Sequence, residues 1–342
     1  MGAIWYRGNE LVTTISEMVG FKTGVALTRE QMAEMIEESV ETEGFFDVDN
    51  EALVRVRSEE VEAVVHELLF KLGHTSTRQR THPAIALFHR YKRDPKALET
   101  ALSIHEKWAA VLIEAVSRAK ATGDRNVDPA PFVEAMFKKH GAFGAKVALR
   151  LFDDLETMMV QNPWNQIRRT EWKDVADLQD LFRSESLATF YGEFFDQRFI
   201  DYLARQFDAI DRINWRKFEG LVGEYFHREG FLVKLGPGRA DEGVDARIWP
   251  KDADAGSRPP AILVQCKRQR QSVPKVVVKA LYADVLHEKA ESGLIVTTST
   301  LSPGAKKVCS VRSYPIKDVD RVSLRTWIEE MRSPGTGVFL GE

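Results

Sequence analysis

Apolar residues recur at helical intervals through most of the first two hundred positions, and after about residue 210 they fall into short runs that alternate with helical stretches. Thr28-Arg29-Glu30-Gln31 has capping-box spacing, and Met32, Met35, Ile36 and Val40 follow on one helical face. Ser58 opens a second helix that carries Val61, Val64, Val65, Leu68, Leu69 and Leu72, with Gly73 as its stop. Between them Ala52 to Arg57 alternates apolar and basic residues, the period of a strand. Asp94-Pro95 starts a long helix through Leu98, Leu102, Trp108, Leu112 and Val116 to near Gly123. Further helices are expected over 129–140, 145–160, 171–183 and 186–209, and no internal repeat is evident.

The later pattern differs. Lys217 to His227 reads as a helix with Phe218, Leu221, Val222, Tyr225 and Phe226 on its apolar side. Strands are expected over 231–235, 244–249 and 262–267, then a helix from Pro274 to about Ala290. A buried strand over 293–298, a helix from Ser302-Pro303, a strand over 319–324 and a helix over 327–331 complete the order. This predicts an α+β multidomain protein. A mostly α-helical domain spans 1–210, and an α/β domain with a central mixed sheet flanked by helices spans 211–335.

Composition narrows the class. At 342 residues, 44% hydrophobic and 29% charged, the chain exceeds what one core usually serves and lacks the bias of a disordered protein. Without a long apolar run or a basic-then-apolar leader, a cytoplasmic protein that does not contact the membrane is expected. Cys266 and Cys309 make neither a CxxC pair nor a disulfide framework, which argues against zinc and redox chemistry. The net charge of −3 conceals an asymmetry, with 22 Lys and Arg against 17 Asp and Glu after residue 210 and 26 against 34 before it. The basic half is the one suited to a phosphate backbone.

Candidate chemistry concentrates in that half. On a strand over 262–267, Gln265 and Lys267 share one face and Cys266 turns to the other. Asp245, closing the run Gly238 to Asp245, supplies from a neighbouring strand the hard oxygen that Mg²⁺ needs beside water and substrate phosphate. Asp241 is the nearby rival and reads as a turn residue. Taken one at a time, these features could be a solvated basic strand end paired with an acid.

Together, the Phe218-Glu219 helix, Gly243-Val244-Asp245, Val264-Gln265-Cys266-Lys267 and Leu294 to Ser299 followed by Ser302-Pro303-Gly304-Ala305 resemble the catalytic domain of the Mrr-like restriction endonucleases, within the PD-(D/E)XK nuclease superfamily. The resemblance covers the C-terminal third, over residues 213 to about 332. It implies Mg²⁺-dependent hydrolysis of phosphodiester bonds in double-stranded DNA, with Mn²⁺ as a substitute, within prokaryotic antiphage defence. By matching position, Asp245, Gln265 and the Cys266 main-chain carbonyl would hold the metal, Lys267 would orient or activate water, and Glu219 would complete the shell or hold Lys267. Gln265 stands at the superfamily's second acidic position and removes one negative charge. Arg239, Arg268, Arg270 and Lys275 are the candidate DNA contacts. A homodimer fits the need to cut two strands. The helical half is expected to recognise, regulate or oligomerise, and to answer to an activator or defence-system partner. A catalytically silent DNA-binding module is the alternative.

Other features read as structure. His74, His82 and His89 lack partners for a metal set. The series Phe190, Tyr191, Phe194, Phe195, Phe199, Tyr202 and Phe207 reads as packing, and Trp164 with Arg168 and Arg169 as a packed turn.

Overall fold

A computed structural model describes residues 3–36, 44–75, 77–78, 82–122, 126–168, 170–238, 243–253, 258–332 and 338–339. The chain divides into two compact units, Met1–Ala176 with Pro334–Glu342, and Asp177–Ser333.

The first unit opens with strand β1 (Ala3–Arg7) and helix α1 (Gly8–Thr23), continues through α2 (Arg29–Ile36), and then takes the same strand–helix step again in β2 (Leu53–Arg57) and α3 (Ser58–Lys71). β1 and β2 pair antiparallel, with Trp5 opposite Arg55, Ala3 opposite Arg57 and Arg7 opposite Leu53. Both strand-to-helix junctions are closed alike, Glu10 Oε2 accepting from Arg7 N–H at 3.1 Å and Glu60 Oε2 from Arg57 N–H at 2.8 Å. The two strand–helix steps share their pattern and not their residues. Leu11, Ile15 and Val19 of one helix and Val61, Val65, Leu68 and Leu69 of the other are all buried. The capping box at Thr28 forms through Gln31, whose Oε1 accepts from Thr28 N–H at 2.8 Å. Gly73, at φ 76°, ends α3 as His74 N–H turns back to Leu69 O.

Helices α4 (Pro83–Tyr91), α5 (Pro95–Thr122) and α6 (Ala130–Gln161) pack about Trp108, with Leu87, Ile104, Val147 and Leu151 buried around it. α6 breaks at Gly141 (φ 62°, ψ −155°), which reproduces the two helices expected over 129–140 and 145–160. Of the histidines, His82 caps α4, its Nδ1 accepting from Ala84 N–H. Trp164 Nε1 donates to Glu62, and the Arg168 guanidinium lies over Phe21; Arg169 falls outside the described residues. No described helix is long and apolar enough to cross a membrane.

The second unit holds α7 (Leu178–Arg183), α8 (Gln197–Arg205), a 3-10 turn over Phe207–Arg212, and α9 (Trp215–Arg228). Then follow β3 (Phe231–Leu235), β4 (Ala246–Pro250), β5 (Ile262–Lys267), α10 (Lys275–His287), β6 (Ser292–Thr297), α11 (Pro303–Val311), β7 (Ile316–Val319) and α12 (Arg321–Met331). The five strands form one mixed sheet in the order β7-β6-β5-β4-β3. β5, β6 and β7 run parallel, and β3, β4 and β5 antiparallel. Val244, Leu263, Val278, Leu281, Ile295, Ala305 and Ile316 form its core.

Three expectations require correction. The helix expected over 171–183 shrinks to α7, since Ala176 N–H is drawn to Gly24 O. The one over 186–209 becomes a loop, α8 and the 3-10 turn, because Glu224 Oε2 captures the N–H groups of Glu193, Phe194 and Phe195 at 2.9, 2.8 and 3.3 Å and Asp196 caps α8. The strand expected over 319–324 ends at Val319, because Asp320 Oδ1 accepts from Val322 and Ser323 N–H and starts α12.

Residues 177–210 also fall in the second unit rather than with the helices before them. Besides the Glu224 clamp, Gly220 lets α9 approach this segment closely, since a Cβ there would lie 2.7 Å from Phe194 O. The aromatic series is packing: Phe195, Phe199, Tyr202 and Phe207 are buried, although Phe190 is exposed.

Candidate active site

β5 carries the centre of the site because its alternation is anchored on both sides. On one side, Asp245 N–H donates to Val264 O at 2.9 Å, and Val264 is also the register partner of Ala246. Two consecutive residues thus face one residue of β5, the geometry of a β-bulge, which re-aims a side chain and delays the regular strand to Ala246. The re-aimed Asp245 carboxylate accepts the Cys266 N–H through Oδ2 at 2.6 Å. This charge-assisted bond pins the acid against the end of β5.

On the other side, β6 fixes Lys267. Thr297 Oγ1 donates to Lys267 O at 2.7 Å and Thr298 N–H to the same oxygen at 3.3 Å. Thr298 Oγ1 and Ser299 Oγ then donate to the carbonyls of Gln269 and Arg270, so the chain leaving β5 is tied residue by residue to the end of β6. Thr297 and Thr298 are buried, which makes these bonds hard to replace with water.

Gln265 is 6% exposed, and its Oε1 has no hydrogen-bond partner among the described residues. A buried amide oxygen without a donor is costly unless something outside the protein chain satisfies it. Its Nε2 lies against Gly243, where a Cβ would come within 2.9 Å and where φ is 90°. Gly243 is therefore required twice, for backbone conformation and for room.

Glu219 is buried on α9 and accepts from Arg216 Nη1 at 2.6 Å. Burial first, then the Asp245 and Glu219 carboxylates, push the Cys266 thiol well above its ordinary value, and Lys267 pulls it the other way. Both acids and the lysine therefore act on one point. Cys266 itself is half-buried, and neither cysteine is in a disulfide.

The structure thus gathers Asp245, Gln265, Cys266, Lys267 and Glu219. Among the described residues no set of three or more His, Cys, Asp and Glu side chains is placed to hold a metal ion. The donors present still fit a hard cation: a fixed carboxylate, a buried amide oxygen lacking a donor, and a second carboxylate on α9. Arg270 and Lys275 are exposed nearby on the chain after β5, whereas Arg268 Nη1 is engaged with Asp211 O at 2.7 Å. Arg239 and Asp241 lie outside the described residues. Sequence reading missed Arg216; an arginine three residues before an acid on a helix is its only signal.

Residues 210–328 match the family described as restriction endonuclease, the Mrr catalytic domain. Among curated proteins, an uncharacterized protein of Sinorhizobium fredii (strain NBRC 101917 / NGR234), y4cE, is 27% identical over 140 residues, which cover 40% of this chain and 35% of that protein. The chain therefore matches little more than a third of that relative's length. Among solved structures, the MspJI restriction endonuclease in complex with a 27-mer oligonucleotide aligns over 49% of this chain and 37% of its own, at 20% identity and a TM-score of 0.28.

Proposed function

From a C-terminal unit that carries an Mrr-type restriction-endonuclease domain, we propose that this protein is a Mg²⁺-dependent endonuclease of double-stranded DNA, with Mn²⁺ as a substitute, serving prokaryotic restriction or antiphage defence. The observation that carries the metal is the buried Gln265 Oε1 without a partner among the described residues, next to a carboxylate pinned by a main-chain N–H. Asp245, Gln265 and the Cys266 carbonyl would hold the ion, with Glu219 reaching it directly or through water.

A bound divalent ion supplies Lewis-acid polarisation of the phosphate and a more acidic water. The chain's own groups do the rest. Lys267, placed by Thr297 and Thr298, orients the attacking water and offsets charge on the phosphate, an electrostatic contribution that dominates phosphoryl chemistry. Asp245 is held in one orientation by its bond to Cys266 N–H. Arg270 and Lys275 contact phosphates without reading bases, and Arg239 belongs to the same proposal. Two copies would be needed to cut both strands, and the unit before residue 177 would recognise the target, answer to an activator, or join the copies.

The neutral Gln265 favours one other reading, a silent DNA-binding module. Incubation of purified protein with plasmid and linear DNA in Mg²⁺ or Mn²⁺ separates the two. Cleavage that EDTA abolishes and that Asp245→Ala and Lys267→Ala each reduce by at least about a hundredfold is expected. Intact DNA under both metals, with wild-type binding retained, would favour the silent module.

A further inference from the structure

The β1–β2 ribbon of the first unit leaves one face bare. Because Ala3, Trp5 and Arg7 stand directly opposite Arg57, Arg55 and Leu53, these six side chains share one face of the two-stranded sheet. The other face, with Ile4, Tyr6, Val54 and Val56, lies over α1 and α3, where Val56 is 6% exposed. On the bare face Trp5 is 59% and Leu53 65% exposed, and Arg7, Arg55 and Arg57 are exposed as well.

An indole ringed by three guanidiniums on an antiparallel ribbon is an unusual use of solvent-facing positions, since an exposed Trp costs hydration and like charges repel. The nearby acids are turned to other work. Glu10 and Glu60 cap the helices behind through Arg7 and Arg57 main-chain N–H groups, and Glu51 pairs with Arg7 at 2.9 Å with both side chains largely in solvent. Among the described residues the guanidiniums of Arg55 and Arg57 have no acidic partner.

We propose that the bare face of this ribbon is a second DNA contact, which lies in the major groove of duplex DNA and is separate from the nuclease site. Two strands about 5 Å apart fit a groove about 12 Å wide, which admits a two-stranded ribbon. Three guanidiniums suit phosphate oxygens and the O6 and N7 acceptors of guanine, and the Trp5 and Leu53 side chains suit the apolar thymine methyl. Arg7 would exchange Glu51 for a phosphate, an exchange that costs little for a pair so exposed. Even a protein that is acidic before residue 210 can thus present a cationic, aromatic strip on one element.

This inference rests on DNA as the ligand in the function proposed above, and not on cutting. It is tested on the full chain in EDTA, where nothing is cleaved, by fluorescence anisotropy with a short labelled duplex at several salt concentrations. Arg55→Ala and Arg57→Ala are each expected to weaken duplex binding about tenfold, and the double variant to lower the salt slope by about two. Trp5→Ala is expected to weaken binding with the slope unchanged, and thermal melting should be unaltered in all four variants because the positions are exposed. Unchanged affinity and slope in the double variant would overturn the proposal, as would preference for single-stranded DNA or no duplex binding by the wild-type chain. Cleavage in Mg²⁺ with undisturbed ribbon variants would leave the nuclease standing and remove this contact. Ribbon-dependent binding without cleavage would do the reverse.

Discussion

Single residues decide whether this chemistry is assembled. Gly243 combines φ 90° with a Cβ position 2.9 Å from Gln265 Nε2, so Gly243→Ala is expected to cost about 1–3 kcal/mol and to displace Gln265. Chemical denaturation measures the first, and Mn²⁺ titration calorimetry the second; unaltered metal affinity would show that Gln265 is not a ligand. The same site predicts that Gln265→Glu tightens Mn²⁺ binding by about tenfold, because a second charge joins Asp245. In the first unit, Lys22 is fully buried and donates through Nζ to Asn165 O at 2.9 Å, Asn165 Oδ1 at 2.8 Å and Ile167 O. Burial, then the Arg168 cation, push it down to about 7 against the pull of these three acceptors. A lysine lowered by folding binds its proton more weakly in the native state, so unfolding takes up a proton between the two values. Stability should then rise as pH climbs from about 7 toward the unfolded lysine value of about 10.4. Thermal melting at about pH 7 and about pH 9 should show this rise, and Lys22→Met should flatten it; an equal rise in the variant would assign it to other groups. Asp245, Gln265 and Lys267 were legible as candidates because strand alternation alone places Gln265 and Lys267 together. Arg216 and Glu224 were not, since their partners are set by helix packing, and in the case of Glu224 are main-chain amides of a distant loop.

At the scale of elements, the sheet's ends do the positioning. β5 owes its functional end to the bulge at Asp245 and to the hydroxyls of β6, whose buried Thr297 replaces a water that would otherwise solvate Lys267 O. Thr297→Val, close to isosteric, is expected to cost about 1–2 kcal/mol in stability and to slow single-turnover cleavage about tenfold with substrate affinity unchanged. An unaltered cleavage rate would reduce this threonine to a structural role. Glu224 performs the same service for the 193–195 loop, and Glu224→Ala would strand three N–H groups at a cost of about 3 kcal/mol, measurable by chemical denaturation. Element identity was readable from period wherever apolar spacing was long and regular, as in α3, α5, β5 and β6. Element ends were not, because Asp196 and Asp320 start helices by capping and neither differs in sequence from an ordinary loop acid.

At the scale of the whole chain, two units divide the labour proposed for them. If two copies act on one duplex, the rate of double-strand breaks should rise more steeply than linearly with protein concentration, whereas nicking should stay linear; a linear rise in both would assign cutting to one copy acting twice. By itself the sequence determined the fold class, the order of strands and helices after residue 210, and the Asp245, Gln265 and Lys267 candidates, because each rests on local period or on short spacing within a few adjacent elements, while Glu219 joined them through the resemblance alone. Only the tertiary structure decided that residues 177–210 pack with the later unit and that the first unit uses one strand–helix step twice. It also decided that Gln265 Oε1 has no donor among the described residues and that three arginines and a tryptophan meet on one ribbon face. The reason is physical: these features depend on which distant groups meet, and a pairing between strands some fifty positions apart, as in Trp5 with Arg55, leaves no periodic trace in either strand.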